Sequence, residues 1–182
     1  MEPIGPLMIE HRLIENMINF LDEDVVNQTN NKHKQIDPKS IERIIDFFIF
    51  YGDKLHHEKE EKLLFKKLIK KDISEDHQKT LDKILKEHDE ARQLFSKIKD
   101  QNKLYRDGYE KESAKIEKNL KEVIKLYRKH VEREDNNFFI QIMDYFDEPE
   151  KDDMFKEMMK FNRNYINQMY EEKLEYLKQS KD

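Results

Sequence analysis

A chain of 182 residues is long enough for one domain with a sizeable core. A composition of 41% charged and 36% apolar residues, with three Gly and four Pro, is that of long helices with solvated outer faces. A net charge of -5 without a basic stripe argues against nucleic acid as a partner, and the absence of cysteine excludes disulfides, thiolate metal sites and cysteine nucleophiles.

Eleven Phe, eight Tyr and eight Met supply more core material than a disordered chain carries. The N-terminus has no basic segment leading into an apolar run, and no stretch approaches the roughly 18 apolar residues of a membrane span, so a soluble cytoplasmic protein is expected.

Pro6 suits the first turn of a helix over about 6 to 27, on which Leu7, Ile14, Ile18 and Leu21 recur at helical spacing with His11 inside their stripe. The polar connection NQTNNKHKQ follows and places His33 in solvent. Asp37 and Pro38 form a cap and first-turn pair that opens a second helix, to about residue 70. There Phe47, Phe50, Leu64 and Leu68 share a stripe whose middle is filled by His57 and Glu61, with Lys59 and Lys62 facing away. His56 and Glu60 form a competing pair at the same spacing, but the stripe favours His57 and Glu61.

Ser74 caps a third helix, to about residue 103, which carries Leu81, Ile84, Ala91, Phe95 and Ile98 around His88 and leaves His77 exposed in its first turn. After a turn at Gly108, a fourth helix over about 110 to 146 sets Ile116, Leu120, Val123, Tyr127 and Phe138 around His130 and Glu134. Pro149 sets off a last helix over about 150 to 178. Its Met-, Phe- and Tyr-rich face suits a cover for the bundle first and a surface for pairing two chains second. No run alternates with period two, so the class is all-α: an antiparallel up-down four-helix bundle over 1–148 with an additional C-terminal helix over 149–182.

Antiparallel neighbours bring together residues equidistant from the turn between them. The midpoints of 11 and 57, of 57 and 88, and of 88 and 130 fall at 34, 72.5 and 109, each on a turn placed from other residues. The four histidines therefore meet near one level of the bundle. Left unpaired in an apolar core, such groups cost on the order of several kcal/mol for each charge. Two copies of H-x-x-x-E instead present imidazole and carboxylate to one ion, and that donor set suits iron, manganese or zinc.

The order His, H-x-x-x-E, His, H-x-x-x-E on four successive helices resembles the hemerythrin-like (HHE cation-binding) family over about residues 4 to 146. MIEHRLIENM, YGDKLHHEKEEKLLF, LKEHDEAR and YRKHVEREDNNFF are the local matches. The resemblance implies a non-haem di-iron centre without haem, two iron ions joined by an oxo or hydroxo bridge. His11, His57, His88 and His130 would be its terminal ligands, and Glu61 and Glu134 its bridging carboxylates.

The chain departs from the pattern at Arg92, where oxygen-carrying members have a further histidine, so a fifth imidazole is not expected; Glu58 is the candidate to compensate, followed by Glu15 and Glu87. Tyr127 is either ordinary core or a phenol donor beside His130. The ligands so implied are O2, nitric oxide or peroxide. The implied function is binding or sensing of O2 or nitric oxide, with a di-iron redox enzyme of peroxidase, catalase or ferroxidase type, or an iron-handling protein, as the alternative.

Overall fold

The computed structural model describes residues 2–26 and 36–179, and among them it contains five helices and no strand. The helices are α1 (4–26), α2 (38–68), α3 (Glu75–Arg106), α4 (112–145) and α5 (Glu148–Gln179). The polar connection read as NQTNNKHKQ, with His33, lies outside the described residues.

The caps explain the boundaries. The Asp37 carboxylate accepts from the backbone N–H of Lys39 at 3.3 Å and of Ser40 at 3.0 Å, with Pro38 in the first turn of α2. Ser74 accepts from the His77 N–H at 3.2 Å to start α3. Gly108, at φ +96°, turns the chain from α3 into α4 through a conformation that side chains disfavour. Asp147 accepts from the Glu150 N–H at 2.9 Å ahead of α5.

Two apolar clusters fill the bundle. One joins Ile14, Ile18, Ile44, Phe48, Phe95, Leu120 and Tyr127, and the other joins Leu7, Leu64, Leu68, Leu81, Ile84, Phe138 and Ile142. Burial of each large side chain contributes about 1.5–3 kcal/mol, so these clusters hold the helices together. In sequence, the buried histidines fall between the residues of the two clusters on every one of the first four helices.

The winding of α2 decides which residues meet there. Phe48, Gly52, His56, Glu60, Leu64 and Leu68 are all buried, each four residues from the next. In a regular α-helix a spacing of four drifts by about 40° per step, or about 200° over the series, which would carry its ends to opposite faces. They share a face because Phe48–His57 and Glu60–Phe65 are wound as π-helix, whose i→i+5 bonds admit roughly one more residue per turn. The expected stripe through Phe47 and Phe50 is corrected accordingly: Phe48 is fully buried and Phe50 is 38% exposed. A second π turn, Glu134–Phe138, lies in α4.

The C-terminal helix α5 covers the bundle. Met154 and Met158 are buried in the second apolar cluster, Lys67 and Lys71 pair with Glu157 and Glu150, and the Tyr165 hydroxyl donates to the Phe50 carbonyl at 2.8 Å. No described helix is long and apolar enough to cross a membrane.

Candidate metal centre

Five histidines and two glutamates are buried together at the middle of the bundle. Each is no more than 3% exposed: His11, His56, His57, Glu60, His88, His130 and Glu134. Ligand atoms of His11, His56, Glu60 and Glu134 lie within 4.8 Å of one another, as do those of Glu60, His88, His130 and Glu134, and those of His57, His88 and His130. The two carboxylates link the groups. Glu60 sits 3.1 Å from His56 Nε2 through one oxygen and 3.3 Å from His88 Nε2 through the other. Glu134 Oε2 lies 3.2 Å from both His11 Nε2 and His130 Nε2. Each glutamate therefore touches one imidazole of the His11–His56 side and one of the His57–His88–His130 side.

Behind the imidazoles stands a ring of further carboxylates. His11 Nδ1 donates to Asp135 at 2.7 Å, His56 Nδ1 to Glu10 at 3.0 Å, His88 Nδ1 to Glu61 at 2.7 Å and His130 Nδ1 to Glu87 at 3.2 Å, while Asp53 lies 3.6 Å from His57 Nδ1. A carboxylate at Nδ1 fixes the proton there and leaves the Nε2 lone pair facing inward, the arrangement that orients imidazoles on metal ions. Cations anchor the carboxylates in turn: Arg12 holds Asp135, Lys59 holds Glu10, Arg133 holds Glu87, and Arg92 holds both Asp53 and Glu61. Replacing Asp135 by Asn should lower metal affinity roughly 10- to 100-fold without unfolding the protein, as read by competition with a chromophoric chelator. Unchanged affinity would mean that Asp135 does not orient His11.

The inward atoms lack partners. Both oxygens of Glu60 and of Glu134, Nε2 of His88 and of His130, and both ring nitrogens of His57 are buried without a hydrogen bond among the described residues. His11 Nε2 and His56 Nε2 face each other at 2.8 Å, where two lone pairs repel unless a proton or a cation sits with them. Native interiors rarely leave buried polar groups unpaired, at about 1–3 kcal/mol each, so a cluster of this size points to an ion. The donors fit one or more divalent or trivalent cations of the iron, manganese or zinc kind.

The electrostatics of the site are correspondingly divided. Burial pushes His57 down to about 3 and, with the charge of His57, lowers His88 well below its ordinary value. Burial also opposes charge on His11, but Asp135 and Glu134 overcome it and raise that imidazole to about 10. Glu60 is pushed up by burial and by the charge of Glu134, whereas His130 and His11 outweigh burial at Glu134 and hold it at about 2.

With metal chelated, stability should therefore peak near neutrality. Below pH 6.5 the unfolded chain protonates His57 while the folded chain resists until about 3, so stability falls on the acid side, and Glu134 adds to that fall below 4.5. Above pH 6.5 the folded chain alone keeps the His11 proton until about 10, so stability falls on the alkaline side as well. Urea midpoints across that range measure the peak, and a flat profile would contradict these shifts.

The structure brings together His11, His57, His88, His130 and Glu134 of the expected set but replaces Glu61 with Glu60. Glu61 is displaced outward by the π winding and bonds His88 Nδ1 and Arg92 instead. Glu58 is also outside the cluster, paired with Lys62 at the surface, and Glu15 pairs with Arg12 there. Lys59, expected to face away, is fully buried against Glu10. His77, expected in solvent, is half-buried and bonds the Tyr145 hydroxyl at 2.8 Å. A fifth imidazole is present after all, because the wide turn of α2 points both His56 and His57 inward. The four-residue series from Phe48 to Leu68 was the sequence signal that could have found His56 and Glu60.

A family model, the hemerythrin HHE cation binding domain, matches residues 3–142. No curated protein and no solved structure gives a significant match to the chain.

Proposed function

Because the chain belongs to the hemerythrin HHE cation-binding family, we propose that its buried layer holds two non-haem iron ions and that the protein binds or senses O2 or nitric oxide. The observation that carries this reading is the set of inward-facing nitrogens and oxygens of His57, His88, His130, Glu60 and Glu134 that have no hydrogen-bond partner among the described residues. His11 and His56 would hold one ion, and His57, His88 and His130 the other. Glu60 and Glu134, each adjacent to both groups, would bridge them. Iron bound there supplies a redox-active Lewis acid for one small exogenous ligand.

The chain's own residues supply the surroundings. The Nδ1 carboxylates keep the imidazoles in the metal-binding tautomer and raise their basicity. Phe139 stacks on His11 at 5.8 Å between ring centroids, and with Leu7, Ile14 and Leu64 it contributes to the apolar surround that excludes water. A second reading, peroxide turnover, draws on Tyr127, whose buried ring lies 6.0 Å from that of His57 and 6.2 Å from that of His130.

The test is iron per chain after purification without oxygen, followed by the visible and near-ultraviolet spectrum as air is admitted and withdrawn. About two irons with reversible charge-transfer bands are expected for a binder or sensor. Irreversible oxidation with hydrogen peroxide turnover would move the reading to a redox enzyme. A colourless zinc protein, or one without metal, would overturn it.

A further inference from the structure

A cavity of about 240 Å³ opens between α2 and α3 and belongs to the histidine layer at one end only. On α3 its lining runs from Ala91 to Lys99, roughly 12 Å along the axis, which takes its far end about three turns beyond His88. His57 closes the near end and is held there, 1% exposed and stacked on His88 at 3.8 Å between ring centroids. Phe48 and Phe95, stacked on each other at 4.6 Å, form the apolar wall with Ala91 and Tyr127.

The two cations of the lining differ. Arg92 is already neutralised, because Asp53, Asp89 and Glu61 each accept one of its N–H groups. Lys99 is exposed, and no carboxylate among the described residues pairs with it. Ser96 stands one turn before it and is also exposed, so an ammonium and a hydroxyl share the mouth of a largely apolar cavity. Apolar hollows with a few convergent polar groups are the usual form of a small-molecule site. An apolar cavity of roughly 150 Å³ already takes benzene, and at about 30 Å³ for each water-sized group this one has room for about eight heavy atoms.

We propose that this cavity binds a monocarboxylic acid with an apolar tail of about six to eight carbons, the tail lying along Phe48 and Phe95 and the carboxylate held at the mouth by Lys99 and Ser96. One unneutralised cation matches one negative charge, and the two donors match the two carboxylate oxygens. The tail is the part that goes inside. A carboxylate at the inner end would leave water only to meet Asp53 and an Arg92 already shared among three carboxylates. The site does not rest on the ion-binding reading: no group of the ligand touches an ion, and no bond is made or broken.

The experiment titrates the full-length protein, as purified, with straight-chain carboxylates from butanoate to decanoate and follows binding by calorimetry. Affinity should rise about fourfold for each CH2 up to octanoate and then level off as the cavity fills. Lys99→Glu should weaken octanoate about tenfold at low salt, whereas Lys97→Glu, the same charge change at an exposed position outside the cavity, should leave it unchanged. The chain's two alanines report the place: with methyl-labelled alanine, octanoate should shift the Ala91 resonance and leave that of Ala114, exposed near the start of α4, where it was. Octanoate should bind equally before and after treatment with a strong chelator. No binding, affinity that keeps rising to decanoate, equal losses in the two lysine variants or an unmoved Ala91 methyl would overturn the site. Affinity lost with the metal would place the carboxylate on an ion, which would overturn this site and leave the ion-binding reading standing.

Discussion

Glu60→Gln should lower iron to less than two per chain while leaving the helical fold intact. Glu60 is fully buried and places one oxygen at His56 and the other at His88, whereas the amide of Gln offers one neutral oxygen and a nitrogen that cannot ligate, so it can no longer serve both sides at once. The amide keeps the volume and removes a charge that burial and Glu134 already disfavour, so the chelated variant should be at least as stable as the chelated parent. Glu61→Gln, one residue on, should keep both ions and lose roughly 10- to 100-fold in affinity, because Glu61 acts through His88 Nδ1. Iron per chain by plasma emission and urea midpoints with chelator measure both effects. The reverse ranking of the two variants would restore the α-period reading of this helix.

Removing the metal should destabilise the protein about as much as truncating a large core side chain. The buried nitrogens and oxygens that lack partners gain most from cations, because protons cannot satisfy all of them at neutral pH while His57 and His88 resist charge. A ligand present at a thousand times its dissociation constant adds about 4 kcal/mol. For a chain of this length that is about 10 °C in Tm. Thermal unfolding by circular dichroism, with and without a strong chelator, should show a drop of at least that size, restored by ferrous iron. A Tm that chelation does not move would mean that the polar layer is satisfied without an ion.

How much of this was legible in the sequence depended on how regularly each helix is wound. His11 lies on the regular stretch Ile4–Phe20, His88 on the uninterrupted α3 and His130 in the regular part of α4, so counting at 3.6 residues per turn placed them inward. The same count failed on α2, where π turns shift the phase by about a residue and exchange Glu61 for Glu60. Glu10, Asp53, Glu87 and Asp135 were not legible as backing carboxylates, because an acidic residue beside a helical stripe looks like solvated surface until its partner on another helix is known. Lys59 was hidden for the same reason, in a run of charges that reads as an outer face. The caps were plainer: Asp37, Ser74 and Gly108 each sit where a local backbone requirement admits few other residues.

The most direct test is diffraction from crystals of the iron-loaded protein, with data collected on both sides of the iron absorption edge. Two anomalous peaks should lie in the layer of buried histidines, one beside His11 and His56 and one beside His57, His88 and His130, with Glu60 and Glu134 between them. No peak in that layer, or iron bound only at surface carboxylates, would contradict a two-ion centre built from these seven side chains.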